Sequence, residues 1–253
     1  MADRFRLADS KLVYTPMEPG IAYEKSEKTT EMIDAPYQEA CSHILWPAII
    51  SRPDVQFAVG IFAQFTHNPE QTHWNGLKRV IKYLHTTRGL WLNIGGCNKE
   101  IRFYTDVDWA SQTHRHSISG FAFQIGGGSI TWSSKKQAVI ALSTTEAEYI
   151  AATHTAREIL WARMFLAEIG RIEEDPTTLY CDNQSATLAR DNKFHARTKH
   201  ININYHFIRE AVENGSIEIM YVPTEENLAD VFTKALPRVR FEYLAKRLGL
   251  RSA

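Results

Sequence analysis

The chain has 253 residues, 44% hydrophobic and 23% charged, with 29 Lys+Arg balanced by 29 Asp+Glu. That composition excludes wholesale disorder, and no run approaches the roughly 18 uninterrupted apolar residues of a membrane helix. The length suits two domains of roughly 100 to 150 residues each.

The richest apolar stretch, Ile44-Leu45-Trp46-Pro47-Ala48-Ile49-Ile50, is short and holds a proline. The start Met-Ala-Asp-Arg-Phe-Arg lacks a basic segment followed by an apolar one, so secretion is not expected. Cys41, Cys97 and Cys181 are odd in number and lack metal-type spacing, which fits a reducing compartment and argues against zinc or a disulfide framework. Residues 1–100 carry 11 basic and 11 acidic side chains and residues 101–253 carry 18 of each, so neither half has a strong basic excess. Any nucleic-acid contact must use local patches. The densest is Arg190, Lys193, His195, Arg197, Lys199 and His200, and Lys135-Lys136 is a smaller one; a solvated face is the ordinary reading of such runs.

Residues 1–33 are polar and punctuated, as a loop or linker is. From Pro36 the pattern turns helical: Tyr37, Ala40, Cys41, Ile44 and Leu45 recur at three- and four-residue spacing. Arg52-Pro53-Asp54 breaks the run, and a second helix follows through Val55, Ala58, Val59 and Phe62. A third spans His73 to His85, with Trp74, Leu77, Val80, Ile81 and Leu84 on one stripe. Residues 1–100 thus read as a small helical unit without chemistry of its own. After residue 100 the period shifts to two. Ile101 to Asp106, Gly120 to Ile125 and Ser129 to Ser133 read as strands, the last two joined across Gly126-Gly127-Gly128. A long helix is predicted over Ser143 to Ile169, stopped by Gly170. A strand (Thr178 to Cys181), a short helix from Asp182, a helix (Ile201 to Glu213), a strand (Ile217 to Val222) and a helix from Thr224 complete residues 101–253. The order predicts an α/β (α+β layered) domain with a mixed sheet.

Four acids fall at the ends of these elements. Asp106 closes the first strand and Asp182 closes the strand Leu179-Tyr180-Cys181. Ser143-Thr144-Thr145-Glu146 fits a capping box that folds Glu146 onto the helix start and leaves Glu148 as the available acid. Asp230 lies one turn into the last predicted helix. Each has an ordinary structural role open to it: N-cap for Asp182, turn chemistry for Asp106 beside Asp108, a solvated helix acid for Asp230. Together they occupy positions that a parallel-type sheet gathers at its carboxyl edge. Clustered carboxylates repel unless cations neutralise them, and hard oxygen donors suit Mg²⁺ or Mn²⁺. A pair of such ions activates water and stabilises the leaving oxygen of a phosphodiester.

Several motifs occur in one order: Tyr104-Thr105-Asp106-Val107-Asp108-Trp109-Ala110, Ser133-Ser134-Lys135-Lys136-Gln137, Ala141 to Tyr149, Cys181-Asp182-Asn183-Gln184-Ser185-Ala186, Arg197-Thr198-Lys199-His200-Ile201, Tyr221-Val222-Pro223 and Leu228 to Lys234. They resemble the ribonuclease H domain of copia-type LTR retrotransposon Pol polyproteins, over about 101–250. Thr15 to Gly20, Ala35-Pro36-Tyr37, Arg52-Pro53-Asp54, Phe65 to Pro69 and Trp74 to Leu84 resemble the end of the same family's reverse transcriptase, its thumb or connection. The resemblance implies a five-stranded ribonuclease H-like sheet in 101–253, with Asp106, Glu148, Asp182 and Asp230 as catalytic acids holding two Mg²⁺ ions, Mn²⁺ being an alternative. It implies cleavage of the RNA strand of an RNA–DNA hybrid during reverse transcription, beside a polymerase partner and without a membrane. A cytoplasmic setting, in a virus-like particle, or a nuclear one follows from the same resemblance.

For the hybrid, Lys135, Lys136, Arg197, Lys199 and His200 are candidates for phosphate contact. Asn183, Gln184 and Ser185, like Ser111, Gln112 and Thr113, are candidates for the RNA hydroxyls. Trp109 could stack on sugar or base, though core packing is the commoner fate of a tryptophan. The chain departs from the family pattern in two respects. No Tyr-x-Asp-Asp polymerase motif occurs, and the loop before Asp230 lacks the histidine many ribonucleases H carry there, leaving His195, His200 and His206 as substitutes or as surface residues. The competing readings are an inert or host-captured fragment that binds nucleic acid or serves as a structural module, and a nuclease on the same fold that cuts DNA.

Overall fold

The computed structural model describes residues 1–24, 33–96, 100–111, 115–182 and 199–252, with 199–202 described by backbone alone. In chain order the elements are α1 (Tyr37–Ile50), α2 (Gln56–Ala63), α3 (Gln71–Thr86), β1 (Leu90–Leu92), β2 (Ile101–Asp108), β3 (Ile118–Ile125) and β4 (Gly128–Lys136). They continue with α4 (Thr144–Glu168), β5 (Thr177–Cys181), α5 (Lys199–Glu213), β6 (Ile217–Tyr221), α6 (Arg238–Arg247) and β7 (Leu250–Ser252). No helix among the described residues is long and apolar enough to cross a membrane.

Two compact units form, Met1–Asn93 with Lys234–Ala253, and Ile94–Thr233. The sequence reading put the division at 100/101 and kept the tail with the second part. The tail instead joins the first unit, because β7 pairs antiparallel with β1, Leu92 opposite Leu250. Strands of three residues are too short to show a period, so neither is legible in the sequence.

In the first unit the predicted break at Arg52-Pro53-Asp54 is a single 3₁₀ turn, Pro53–Val55. Arg52 donates from Nε and Nη2 to both Asp54 oxygens at 2.9 and 2.7 Å, and Tyr83 Oη donates to Asp54 as well. Both partners of this bidentate pair are buried, so each charge depends on the other for its solvation. Burial and the Asp54 charge push the Tyr83 hydroxyl well up from its ordinary pKa. Burial likewise pushes the Cys41 thiol up to about 11, which makes it a packed side chain rather than a nucleophile.

The second unit is the predicted mixed sheet, in the order β4-β3-β2-β5-β6. β2, β3 and β4 form an antiparallel meander, and β5 and β6 run parallel to β2. β2 lies at the centre and is nearly continuously buried, as a strand covered on both faces must be. On one face Phe103 and Phe123 stack (4.3 Å, 5°) beneath Ala152, Ala156 and Ile159 of α4 and Tyr205 and Ile208 of α5. The small residues of α4 let that helix lie close to the sheet. Its C-terminus closes as a Schellman turn: Gly170 takes φ +85°, its N–H donates to Ala167 O at 3.0 Å, and Arg171 N–H donates to Leu166 O at 2.8 Å.

The helix predicted from Thr224 is not formed. Thr224–Glu226 and Leu228–Phe232 are separate 3₁₀ turns, with Asn227 between them in an extended conformation. The short helix predicted from Asp182 lies outside the described residues.

Candidate metal centre

The register of the central parallel pair builds the site. Tyr104 on β2 pairs with Tyr180 on β5, and their rings stack at 5.0 Å on the sheet face opposite Phe103 and Leu179. Side chains alternate faces, so Asp106 and Asp182, each two residues beyond its tyrosine, lie side by side on that same face. Asp230 reaches it from Leu228–Phe232. One carboxylate oxygen from each of Asp106, Asp182 and Asp230 lies within 4.8 Å of the others. Asp106 and Asp230 are buried and Asp182 is half-buried. Three carboxylates at this spacing repel one another strongly in a poorly solvated place. Hard, anionic oxygen donors fit Mg²⁺ or Mn²⁺, and no second cluster of this kind occurs among the described residues.

The segment carrying Asp230 is held by groups that sequence reasoning missed. The buried Asn227 donates from Nδ2 to Thr105 O at 2.9 Å and accepts from Ala229 N–H at 3.1 Å, fastening the 3₁₀ turn to β2 one residue before Asp106. The Thr233 hydroxyl donates to Asp106 Oδ2 and lies 3.3 Å from Asp230 O. Thr224 donates to Asp182 Oδ2 at 3.0 Å. Gly120, paired with Asp106 across β2 and β3, leaves the room these turns fill: a Cβ there would stand 2.7 Å from Phe232 Cβ and 3.0 Å from Ala229 O. An asparagine ahead of an apolar run is a cap signal that could have marked Asn227; the threonines and the glycine had no periodic signature.

Glu148 arrives from the other direction. The predicted Ser143 cap is present, its Oγ accepting from Glu146 N–H at 3.1 Å, and Glu146 reaches one residue beyond the expected partner of a capping box, accepting from Leu142 N–H at 2.7 Å. That engages Glu146 and leaves Glu148, half-buried in the first turns of α4, on the stripe of Ala151, Ala152 and Thr155. Thr155 donates to Thr105 Oγ1 at 3.0 Å, which sets the stripe against β2. Glu148 is not within the mutual 4.8 Å of the three aspartates. α4 packs on the face of Phe103 and Thr105. Gln137 holds that turn of α4, donating from Nε2 to Ser119 Oγ at 2.8 Å and to Ala147 O at 2.9 Å.

Of the nucleic-acid candidates, Lys135 is exposed and Lys136 half-buried at the end of the edge strand β4. Lys199 and His200 fall in the first turn of α5, by backbone only; Asn183, Gln184, Ser185, Arg197 and His195 lie outside the described residues, as do Gln112 and Thr113. His206 is exposed on α5 with its ring 5.7 Å from that of Tyr205. Trp109 is not core: it is 44% exposed, with Nε1 donating to Ala141 O at 3.3 Å.

No family model matches the chain. It is 39% identical over 99% of its length to the retrovirus-related Pol polyprotein from transposon TNT 1-94 of Nicotiana tabacum, covering 19% of that protein. It is 36% identical over 98% of its length to the corresponding polyprotein from transposon RE2 of Arabidopsis thaliana, covering 17%. The chain thus spans about a fifth of the length of the curated relatives it matches. Among solved structures it is similar to LC11 ribonuclease H1 in complex with an RNA/DNA hybrid, at 14% identity and a TM-score of 0.41, over 53% of this chain and 94% of that one. The identities to the two plant transposon proteins, sustained over nearly all of the chain, carry the assignment: it belongs to the retrovirus-related Pol polyproteins of copia-type transposons.

Proposed function

We propose that the Ile94–Thr233 unit is a ribonuclease H that hydrolyses the RNA strand of RNA–DNA hybrids during retrotransposon reverse transcription, beside a polymerase partner. The observation that carries this reading is the convergence of Asp106 from within β2, Asp182 from just past the end of β5 and Asp230 from a 3₁₀ turn. These three, with Glu148 from the α4 side, would hold the divalent ions. Bound there, Mg²⁺ or Mn²⁺ supplies a water nucleophile at neutral pH and charge stabilisation at the scissile phosphate. The protein's own share is placement. The tyrosine-paired register sets two acids side by side, Asn227 fixes the third, and Gln137 and Thr155 hold the helix turn that presents Glu148. Lys135 and Lys136 offer positive charge for the hybrid's backbone.

The test is to incubate the chain with Mg²⁺ and labelled hybrid, duplex DNA and single-stranded RNA. Cleavage of hybrid RNA alone is the expected result, abolished by Asp106→Asn or Asp182→Asn with the fold retained by circular dichroism. Cutting of duplex DNA would assign a different nuclease, and absence of all cleavage an inert binding module. Activity surviving in either variant would overturn the site.

A further inference from the structure

Two of the three aspartates are each gripped by a threonine hydroxyl, and the two threonines bracket the segment that supplies the third. Thr224 donates to Asp182 Oδ2 at 3.0 Å, and Thr233 donates to Asp106 Oδ2. Thr224 precedes the 3₁₀ turn Leu228–Phe232 and Thr233 follows it directly. Thr233 is fully buried, and Thr224 is half-buried. The consequence is chemical. A hydroxyl proton on one oxygen resists rotation of the carboxylate and opposes the closing of both its oxygens on a single ion. Mg²⁺ requires near-ideal octahedral geometry with one oxygen from each ligand, whereas Ca²⁺ accepts six to eight ligands and readily takes a carboxylate in bidentate fashion.

We infer that Thr224 and Thr233 are positioning residues that hold Asp182 and Asp106 as one-oxygen ligands, and so make the centre select a small octahedral cation over a large one. This rests on the metal-centre reading above and deepens it. Each acts through its aspartate.

The test is calorimetric titration of the full chain with MgCl₂ and, separately, CaCl₂, for wild type, Thr224→Val, Thr233→Val, the matching Thr→Ser variants and Asp106→Asn. The valines keep the branched shape and remove the donor. Loss of a hydrogen-bond partner behind a metal ligand typically costs 10- to 100-fold in metal affinity. Each valine variant should therefore bind Mg²⁺ about tenfold more weakly, with Ca²⁺ weakened less, so the Mg²⁺/Ca²⁺ affinity ratio falls; each serine variant should restore it. An unchanged ratio in the valine variants, with binding lost in Asp106→Asn, overturns the threonine assignment and leaves the metal centre standing. Mg²⁺ binding equal to wild type in Asp106→Asn overturns both. Thr224→Val, at a half-buried position, carries the comparison if Thr233→Val does not fold.

Discussion

Single side chains decide which protonation states the fold tolerates. His73, the third residue of α3, is buried with its ring stacked 3.8 Å from Phe65, accepts at Nδ1 from Glu70 N–H at 2.9 Å, and lies with Nε2 3.1 Å from Glu24 O. One ring nitrogen must accept and the other donate, which is the neutral imidazole. Burial lowers its pKa, against smaller opposing effects of the Glu24 carbonyl and the Glu70 charge. With the folded pKa depressed, the unfolded chain takes the proton first. The contribution is complete above the ordinary histidine value of about 6.5 and is lost as pH falls through the folded pKa. Melting temperature should therefore drop between about pH 7.5 and 5 by more in wild type than in His73→Gln, whose amide keeps the acceptor without titrating. Equal pH dependence in the two would remove His73 as the cause. At the same scale, the distinction between Glu146 and Glu148 was legible beforehand, because a capping box is local chemistry. The exposure of Trp109 was not, because it depends on what the rest of the chain covers.

At the scale of elements, the informative unit is the pair of 3₁₀ turns between Thr224 and Phe232. Their sequence reads as a helix start, with Glu225, Glu226 and an apolar run. A tight turn forms instead because Asn227 is bonded to Thr105 O, over a hundred residues away, and because Gly120 opens the space beneath. Propensity is a weak preference that such tertiary contacts override. Gly120→Ala should push Phe232 and Ala229 outward, costing about 1 to 3 kcal/mol by overpacking. It should also pull Asp230 away from Asp106 and Asp182. Thermal melts and Mg²⁺ titration check the two effects separately, and a variant with wild-type stability and Mg²⁺ affinity would show that the close approach is relaxed cheaply. By contrast α4 and β5 match their predicted extents to within one residue at each end, since each carries a full period and its own stop signals, whereas β3 begins two residues before its predicted start and β4 runs three residues past its predicted end.

For the whole molecule, balanced charge means that the hybrid binding proposed above would not come from a general positive field. It would come from a few local phosphate pairings, for which Lys135 and Lys136 on β4 are cations placed at a described edge. Replacing both by Gln should weaken hybrid binding uniformly across sequences. It should also flatten the dependence of log K on log salt, by about 0.9 for each phosphate no longer neutralised on B-DNA and by a comparable amount on a hybrid. Fluorescence anisotropy at several salt concentrations checks this, and an unchanged slope would place the phosphate-binding cations elsewhere.

The sequence by itself determined the layered mixed sheet, the long capped helix, and the placing of Asp182 at a strand end, because period and capping are written in neighbouring residues; the strand of Asp106, expected to close there, runs on to Asp108. Only the tertiary structure decided that Asp106, Asp182 and Asp230 come within 4.8 Å of one another while Glu148 falls outside that group. Strand register and crossover topology settle which side of the sheet each acid meets. Likewise, the pairing of β1 with β7 and the grip of Thr224 and Thr233 on the aspartates join residues distant in the chain, and no local pattern records such a pairing.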